Sequence, residues 1–324
     1  MDSPNILDVR NLKTHFFTDD GVVKAVDDVS FTIGRGGTMG LVGESGSGKS
    51  VTALSITRLI APPGRVVAGE IFLDGENILA MDEASMRLWR GGRVSMIFQE
   101  PMTALNPVLT IGYQIAESVL AHEKVSKSEA WDRAVEAMNA VAIPDAFRRS
   151  KDYPHQLSGG MRQRVMIAMA LVCKPTLLIA DEPTTALDVT IQAQILDLLN
   201  SLQEQYNLSI MLISHDLGVI AEVAETVAVM YAGKIVEIGS AEKVFKEGRH
   251  PYTRGLLRSI PRLGSSVRKK KRLEVIDGVV PSLLRLPQGC SFASRCPERT
   301  DECTASDIPL DTIDDTHRVR CIHA

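Results

Sequence analysis

The sequence predicts an α/β fold in which an antiparallel β layer precedes a mostly parallel sheet. Short strands with glycine turns are expected in residues 5–36, and strand and helix patterns then alternate up to residue 238. A helical block at about residues 107–173 interrupts this alternation. We therefore expect a core domain at residues 1–260, with the helical block inserted into it, followed by a linker and a small Cys-rich segment at residues 261–324.

Each further element is predicted from the spacing of its apolar residues. Short apolar runs bounded by turn residues indicate strands, and apolar residues three or four positions apart indicate helices. Strands are expected at residues 38–42, 69–75, 93–98, 177–180, 209–213, 226–231 and 234–238, and helices from residue 50 and at 111–121, 126–141, 191–206 and 217–223. Alternation of this kind is typical of parallel strands covered by helices on both faces.

Charge and hydropathy exclude some classes of protein. The formal net charge of −4 gives no overall basic field for nucleic acid. The longest apolar run, Val165–Cys173, has nine residues, whereas a membrane-spanning helix needs about 20. The N-terminus has no apolar stretch of signal-peptide length, so we expect no export and a peripheral role at any membrane. The basic residues 268–272 favour a solvated linker over a contact with anionic lipid.

A glycine-rich loop follows the predicted strand at residues 38–42. Gly43-Glu-Ser-Gly-Ser-Gly-Lys-Ser50 matches the P-loop pattern G-x-x-x-x-G-K-[ST], between a strand and a helix. Its backbone N–H groups and the helix N-terminus favour phosphate, Lys49 suits the outer phosphates of ATP, and Ser50 suits Mg²⁺. The candidate nucleotide-binding residues here are Gly43, Ser45, Gly46, Ser47, Gly48, Lys49, Ser50 and Val51.

Polar residues follow three of the predicted core strands. Asp181 and Glu182 end one of them, where Asp181 suits a contact to Mg²⁺ and Glu182 suits a general base for water. His215 follows the next strand and suits a hydrogen bond to phosphate or water. Gln99 follows the strand at 93–98, and its carbonyl suits Mg²⁺ or water. The structural alternatives are surface acids and an ordinary structural histidine.

A second glycine turn precedes a helix at Leu157-Ser-Gly-Gly160. Ser158 is a good N-cap, so a simply capped helix is the structural alternative. The backbone amides of Gly159 and Gly160 at a helix start also form an anion site. Two phosphate-binding helix starts far apart in one chain suggest that two chains share nucleotides.

These motifs, in this order, resemble the ABC ATPase family, whose core has the P-loop NTPase fold. The resemblance rests on the P-loop, a glutamine loop at Gln99, the signature at 157–160, Asp181-Glu182, the loop Ala186-Leu187-Asp188 and a switch histidine at His215. It implies a head-to-tail dimer in which ATP lies between the P-loop of one chain and the signature of the other. It also implies that Phe16, with Phe17 as the alternative, stacks on adenine.

Three further stretches resemble the ATPases of oligopeptide and dipeptide importers: 98–107, 250–257 and 286–296. The resemblance implies a peripheral subunit at the cytoplasmic face of the inner membrane, paired with a second, homologous ATPase beneath two transmembrane permease subunits. An extracytoplasmic binding protein would deliver the peptide. Import of nickel or oligosaccharides is the alternative. A non-transport ABC ATPase fits less well, because the chain has one ATPase domain and no sustained heptads.

Four of the five cysteines lie in the last 35 residues, namely Cys290, Cys296, Cys303 and Cys321. Their spacing, C-x5-C-x6-C-x17-C, is neither the paired C-x2-C of a zinc finger nor a ferredoxin pattern. Four thiolates suit an Fe–S cluster or Zn²⁺, and disulfides fit a cytosolic chain poorly. The importer resemblance favours a [4Fe–4S] cluster, with Zn²⁺ and then an empty reduced site as alternatives.

Overall fold

The computed structural model describes residues 4–100, 104–185, 187–259 and 276–324. Two compact units are present, and each is assembled from separate chain segments. The first contains residues 1–7, 33–37 and 72–213, and the second contains 8–32, 38–71 and 214–324. The basic linker at 268–272, the domain boundary at 260/261 and Ala186 lie outside the described residues. The domain division therefore stays a prediction.

Twelve strands and ten α-helices occur in the described ranges. The strands are β1 (Asn5–Thr18), β2 (Gly21–Gly34), β3 (Thr38–Val42), β4 (Gly64–Leu73), β5 (Glu76–Asn77), β6 (Val94–Ile97), β7 (Leu177–Asp181), β8 (Ser209–Ser214), β9 (Thr226–Tyr231), β10 (Lys234–Ser240), β11 (Asp311–Asp314) and β12 (His317–Val319). The helices are α1 (Lys49–Ile56), α2 (Glu83–Gly92), α3 (Ile111–His122), α4 (Lys127–Ala140), α5 (Ala146–Arg149), α6 (Gly159–Leu171), α7 (Val189–Tyr206), α8 (Leu217–Val223), α9 (Ala241–Glu247) and α10 (Pro251–Ser259).

The first unit contains a parallel sheet with the order β6-β7-β8. Every residue of β7 and β8 is buried, which explains why these strands are continuous apolar runs rather than alternating ones. The helical block consists mainly of α3, α4 and α6, near the expected bounds. Ser126 begins α4 as its N-cap, because its hydroxyl accepts a hydrogen bond from the Glu129 N–H. The carboxyl ends of β6 and β7 carry Gln99 and Glu182.

The second unit contains a sheet with the order β11-β12-β10-β9-β3. Only β3 and β9 are parallel here, and the pairs β9–β10, β10–β12 and β11–β12 are antiparallel. The expectation of a mostly parallel sheet is therefore too simple for this unit. The sequence did not predict β11 and β12, because β11 is short, polar and fully exposed. Through β12, the C-terminal tail pairs with β10, where Glu237 is opposite Val319.

No helix in the described part of the chain is both long enough and apolar enough to cross a membrane.

Candidate nucleotide site

The P-loop connects β3 to α1 in the second unit, as the sequence predicts. Gly43, Gly46 and Gly48 have φ values of 154°, 78° and 106°, where L side chains are strained. A Cβ atom at Gly43 would lie 2.2 Å from the Met230 carbonyl oxygen, and one at Gly48 would lie 2.3 Å from that of Ala25. Glycine is therefore required at these two positions by both conformation and space.

Lys49 folds back across this loop. Its Nζ donates to the carbonyl oxygens of Gly43, at 2.8 Å, and Glu44, at 3.0 Å, and only 5% of the residue is exposed. Ser47 is also buried, and its hydroxyl oxygen has no hydrogen-bond partner among the described residues. A buried cation and an unsatisfied hydroxyl beside loop amides form an environment that suits phosphate. Ser50 and Val51 occupy the first turn of α1 and are half-buried.

The two candidate aromatic residues differ in their surroundings. Phe16 is half-buried and contacts the Gly64 region, where a Cβ atom would lie 2.6 Å from its ring. Phe17 is 39% exposed, and the Arg65 guanidinium carbon lies 4.3 Å from its ring centroid. The Phe17 ring therefore already packs against a cation. The choice of Phe16 for adenine stays a prediction.

In the first unit, two donors converge on Glu182. Gln99 Nε2 donates to Glu182 Oε2 at 3.0 Å, and Thr185 Oγ1 donates to the same oxygen at 2.9 Å. Glu182 has a φ of 47°, an uncommon conformation for this residue type, and its N–H donates to the Ile213 carbonyl oxygen. The preceding Asp181 is 5% exposed at the end of β7. The sequence predicted Asp181, Glu182 and Gln99 but missed Thr185, which lies three residues after Glu182 in the same turn.

The signature residues begin α6. Ser158 is its N-cap, and the Ser158 hydroxyl accepts from the Met161 N–H at 3.3 Å, as the capped-helix interpretation requires. A Cβ atom at Gly160 would lie 2.9 Å from Ile191 Cγ2, and one at Gly159 would lie 3.5 Å from Leu187. Gly160 is therefore needed for close approach to α7. The Ser158 cap engages the Met161 N–H and not those of Gly159 and Gly160, so it does not compete with an anion for these two amides.

His215 lies in the second unit, directly after β8. Its side chain is exposed, and the neighbouring Asp216 caps α8 by accepting from the Gly218 N–H at 2.8 Å. The Asp216 N–H in turn donates to the Ser214 hydroxyl at 2.9 Å. This capped turn fixes the backbone on the C-terminal side of His215, and the imidazole stays accessible to a ligand.

The four tail cysteines do not form a recognisable metal site. In the described ranges, no three His, Cys, Asp or Glu side chains gather in a group that could hold a metal ion. Burial raises the pKa of Cys290 and of Cys321, and neighbouring thiols add to the effect. Cys303 Sγ lies 3.7 Å from His323 Nε2, a contact that the sequence did not predict. The predicted [4Fe–4S] cluster therefore has no support from these side-chain positions.

The fold places the chain in the class of ATP-binding cassettes. A dimeric ATP-binding cassette, solved in a post-hydrolysis state with ADP and Pi, aligns with a TM-score of 0.65. The two sequences are 26% identical, and the alignment covers 72% of this chain and 98% of the other. The protein cbiO1 of Clostridium perfringens, part of the ABC transporter complex cbiONQ, also aligns with a TM-score of 0.65, at 26% identity over 76% of this chain and 92% of cbiO1. The α/β cassette fold predicted from the sequence is confirmed.

Family models and sequence relatives show which family of ATP-binding cassettes the chain belongs to. The family model "ABC transporter" matches residues 26–185, and the model "Oligopeptide/dipeptide transporter, C-terminal region" matches residues 236–303. The oligopeptide transport ATP-binding protein AppD of Bacillus subtilis is 51% identical, over 98% of this chain and 96% of AppD. The dipeptide transport ATP-binding protein DppD of Escherichia coli is 48% identical, with the same coverage. The chain therefore belongs to the ATP-binding proteins of the ABC transporter family, which bind ATP with Mg²⁺ and hydrolyse ATP to power transport.

Proposed function

We propose that this chain is the ATP-hydrolysing subunit of an importer of dipeptides or oligopeptides. The observation that carries the nucleotide role is the P-loop, in which Lys49 Nζ is held over the loop by two carbonyl oxygens. The peptide substrate is supported by the relatives AppD and DppD, which align over nearly the whole chain, and by the C-terminal family model. Nickel and oligosaccharides are the competing substrates.

The roles of the site residues follow from their chemistry. Lys49 and the loop amides bind the ATP phosphates, and the exposed His215 hydrogen-bonds the γ-phosphate or the attacking water. Ser50, Asp181 and Gln99 have oxygen atoms, the ligand type that Mg²⁺ prefers. Bound Mg²⁺ neutralises charge on the phosphates during transfer.

Glu182 acts as the general base for the attacking water. Gln99 and Thr185 both donate to Oε2 and thereby fix the plane of this carboxylate. The Gln99 amide uses its NH₂ group for this contact, so its carbonyl oxygen is the atom that would reach Mg²⁺ or water.

We propose that ATP is shared by two cassettes. Ser158, Gly159 and Gly160 of one chain would bind the nucleotide held by the P-loop of a second, homologous ATPase. ATP binding would then close the dimer, and hydrolysis would reopen it. The closure would act on two transmembrane permease subunits at the cytoplasmic face of the membrane, with an extracytoplasmic binding protein delivering the peptide.

A cavity in the first unit supports a docking site for the permease subunits. It has a volume of about 420 Å³, and its lining includes Phe98, Glu117, His122 and Met169. Phe98 is 42% exposed and lies directly before Gln99. A cavity lined by both apolar and polar side chains suits a short helix of a partner protein. Its position beside Gln99 would couple permease movement to the carboxylate that activates water.

The catalytic assignment is tested by Glu182→Gln in the purified transport complex. The variant removes the basic oxygen but keeps the size of the side chain, so we expect ATP binding to persist and turnover to fall by about 100-fold or more. Glu204→Gln, an exposed residue on α7, is the matched control and should keep full turnover. Unchanged hydrolysis in Glu182→Gln would contradict the assignment.

The transported substrate is tested separately. ATP hydrolysis by the complex is measured with binding protein loaded with peptides, nickel or oligosaccharides, and the load that stimulates hydrolysis identifies the substrate.

The finer proposal for the tail is a [4Fe–4S] cluster held by its four cysteines, with Zn²⁺ as the alternative. The support is chemical, since four thiols occur within the last 35 residues and thiolates are preferred ligands of iron–sulfur clusters and of Zn²⁺. Anaerobic purification followed by metal analysis tests it. Iron with visible absorbance supports the cluster, zinc supports the alternative, and neither metal overturns both.

A further inference from the structure

Arg295 of the cysteine-rich tail forms an ion pair with the P-loop. Its Nη1 lies 2.6 Å from Glu44 Oε2, and its Nη2 lies 3.0 Å from Glu44 Oε1. Glu44 is the second residue of the P-loop, and Arg295 directly precedes Cys296. The Arg295 side chain is 4% exposed and that of Glu44 is 29% exposed. A two-point contact of this kind, largely out of water, is among the strongest ion pairs that proteins make.

The guanidinium is fixed on its other sides by backbone and aromatic groups. Nη2 also donates to the Ile276 carbonyl oxygen, and Nε donates to that of Asp277, both at 3.0 Å. The guanidinium carbon lies 5.8 Å from the Tyr231 ring centroid and 5.9 Å from that of Phe292. Arg295 is therefore pre-oriented by its surroundings, and little freedom is lost when it binds the carboxylate.

The Glu44 backbone is attached to the same aromatic cluster. Its N–H donates to the Tyr252 hydroxyl at 2.9 Å. Tyr252 is fully buried, and its ring centroid lies 4.6 Å from that of Tyr231 and 5.3 Å from that of Phe292. Both the main chain and the side chain of Glu44 thus contact a cluster to which the tail contributes Phe292 and Arg295.

Glu44 also contacts Lys49, the cation of the P-loop. Its carbonyl oxygen accepts from Lys49 Nζ at 3.0 Å and from the Ser47 N–H at 3.2 Å. A shift of Glu44 would therefore move an acceptor that holds Lys49. In addition, the Glu44 carboxylate is an anion in a loop that must accept phosphate, and Arg295 neutralises it.

We propose that Arg295 is a positioning residue for the nucleotide site, through which the cysteine-rich tail orients the P-loop and offsets the Glu44 charge. This inference rests on the proposed binding of ATP at this loop. It gives the tail a function in nucleotide binding that does not depend on whether its cysteines hold a metal.

The test is a double-mutant cycle on the full chain, with Mg-ATP affinity measured by calorimetry below the unfolding temperature. Arg295→Met leaves the Glu44 carboxylate uncompensated, so we expect the Kd for Mg-ATP to rise about tenfold, the scale of coupling within an ion-pair network. Glu44→Gln alone should change it less. Glu44→Gln combined with Arg295→Met should bind more tightly than Arg295→Met alone, because the repulsive charge is gone. Arg295→Lys, which keeps the charge but loses the two-point contact, should fall between wild type and Arg295→Met.

Arg320→Met is the matched control. Arg320 is also buried, and it attaches the tail through the carbonyl oxygens of Ile235 and Ile308 and through Asp28. None of these three partners belongs to the P-loop. The loss of Arg320 should lower the unfolding temperature and leave the Kd within about twofold. An equal rise of the Kd in Arg320→Met, or no rescue in the double variant, would overturn the inference.

Lys49→Ala separates this inference from the proposed function. If Lys49→Ala abolishes binding while Arg295→Met leaves the Kd unchanged, the inference is wrong and the ATP site stands. If Lys49→Ala binds Mg-ATP like the wild type, the proposed site itself is wrong.

Discussion

The P-loop and the C-terminal tail belong to the same unit, but different kinds of contact predominate in each. Hydrogen bonds within Gly43–Ser50, such as those from Lys49 Nζ, shape the P-loop. The tail instead depends on polar contacts that join residues far apart in the chain. Arg295 contacts Glu44 across 251 positions, and Arg320 contacts Asp28 across 292. Local hydrogen bonds therefore set most of the conformation of the loop, and only Glu44 adds long-range contacts, to Tyr252 and Arg295. The position of the tail depends instead on a few long-range contacts.

The largest expected loss of stability concerns the attachment of the tail and comes from Glu237, which contacts His317. This carboxylate is completely buried on β10 and accepts from the N–H groups of Arg249 and His250 and from His317 Nε2 at 2.7 Å. Glu237→Leu would leave these three donors, two of which are buried, without their acceptor. We expect a loss of about 3–5 kcal/mol in the free energy of unfolding, measured by urea denaturation.

Arg254→Met is the control for Glu237→Leu. Arg254 forms an ion pair with Glu298 at 2.6 Å, but both side chains are more than a third exposed. Solvent screens such a pair, so its loss should cost at most about 1 kcal/mol. Equal losses in the two variants would show that burial does not govern how the tail is attached.

The next largest effect on stability is expected in the P-loop, at Gly48. Gly48→Ala places a Cβ atom 2.3 Å from the Ala25 carbonyl oxygen at a φ of 106°, so both overlap and backbone strain oppose it. We expect a loss of about 3 kcal/mol in the free energy of unfolding, together with loss of ATP binding. Gly46→Ala is the control, since a Cβ atom there meets no atom within 4 Å. Only the strain of a φ of 78° remains, at about 1 kcal/mol.

The same contrast explains what the sequence could predict. The P-loop and the strand and helix around it were predicted because motif and periodicity are local signals. Helix α8 was predicted at its observed bounds, Leu217–Val223, for the same reason. The contact of Arg295 with Glu44 has no local signal, because the Tyr231 and Phe292 rings and the backbone at residues 276–277 create it. Strands β11 and β12 were missed because their pairing with β10, not their own composition, makes them strands.

The smallest predicted effect is a dependence of the free energy of unfolding on pH, and it comes from His250. This residue is 1% exposed, its Nδ1 accepts from the Tyr252 N–H at 3.1 Å, and its ring packs against Phe292. Burial, with the nearby charge of Arg254, lowers the pKa of His250 from 6.5 to about 3. The Glu237 carboxylate also lies close to His250, because it accepts a hydrogen bond from the His250 backbone N–H. The fold therefore favours the neutral imidazole.

Because the folded pKa lies below the unfolded one, the contribution of His250 is complete above about pH 6.5 and is lost as the pH falls towards 3. When the pH falls from 8 to 5, we expect this residue to lower the free energy of unfolding by about 2 kcal/mol. Urea denaturation of wild type, His250→Asn and the exposed-site control His155→Gln at both pH values measures it. His250→Asn should lose this pH dependence, and His155→Gln should keep it. If His250→Asn keeps the full dependence, the buried imidazole is not what makes the attachment of the tail sensitive to acid.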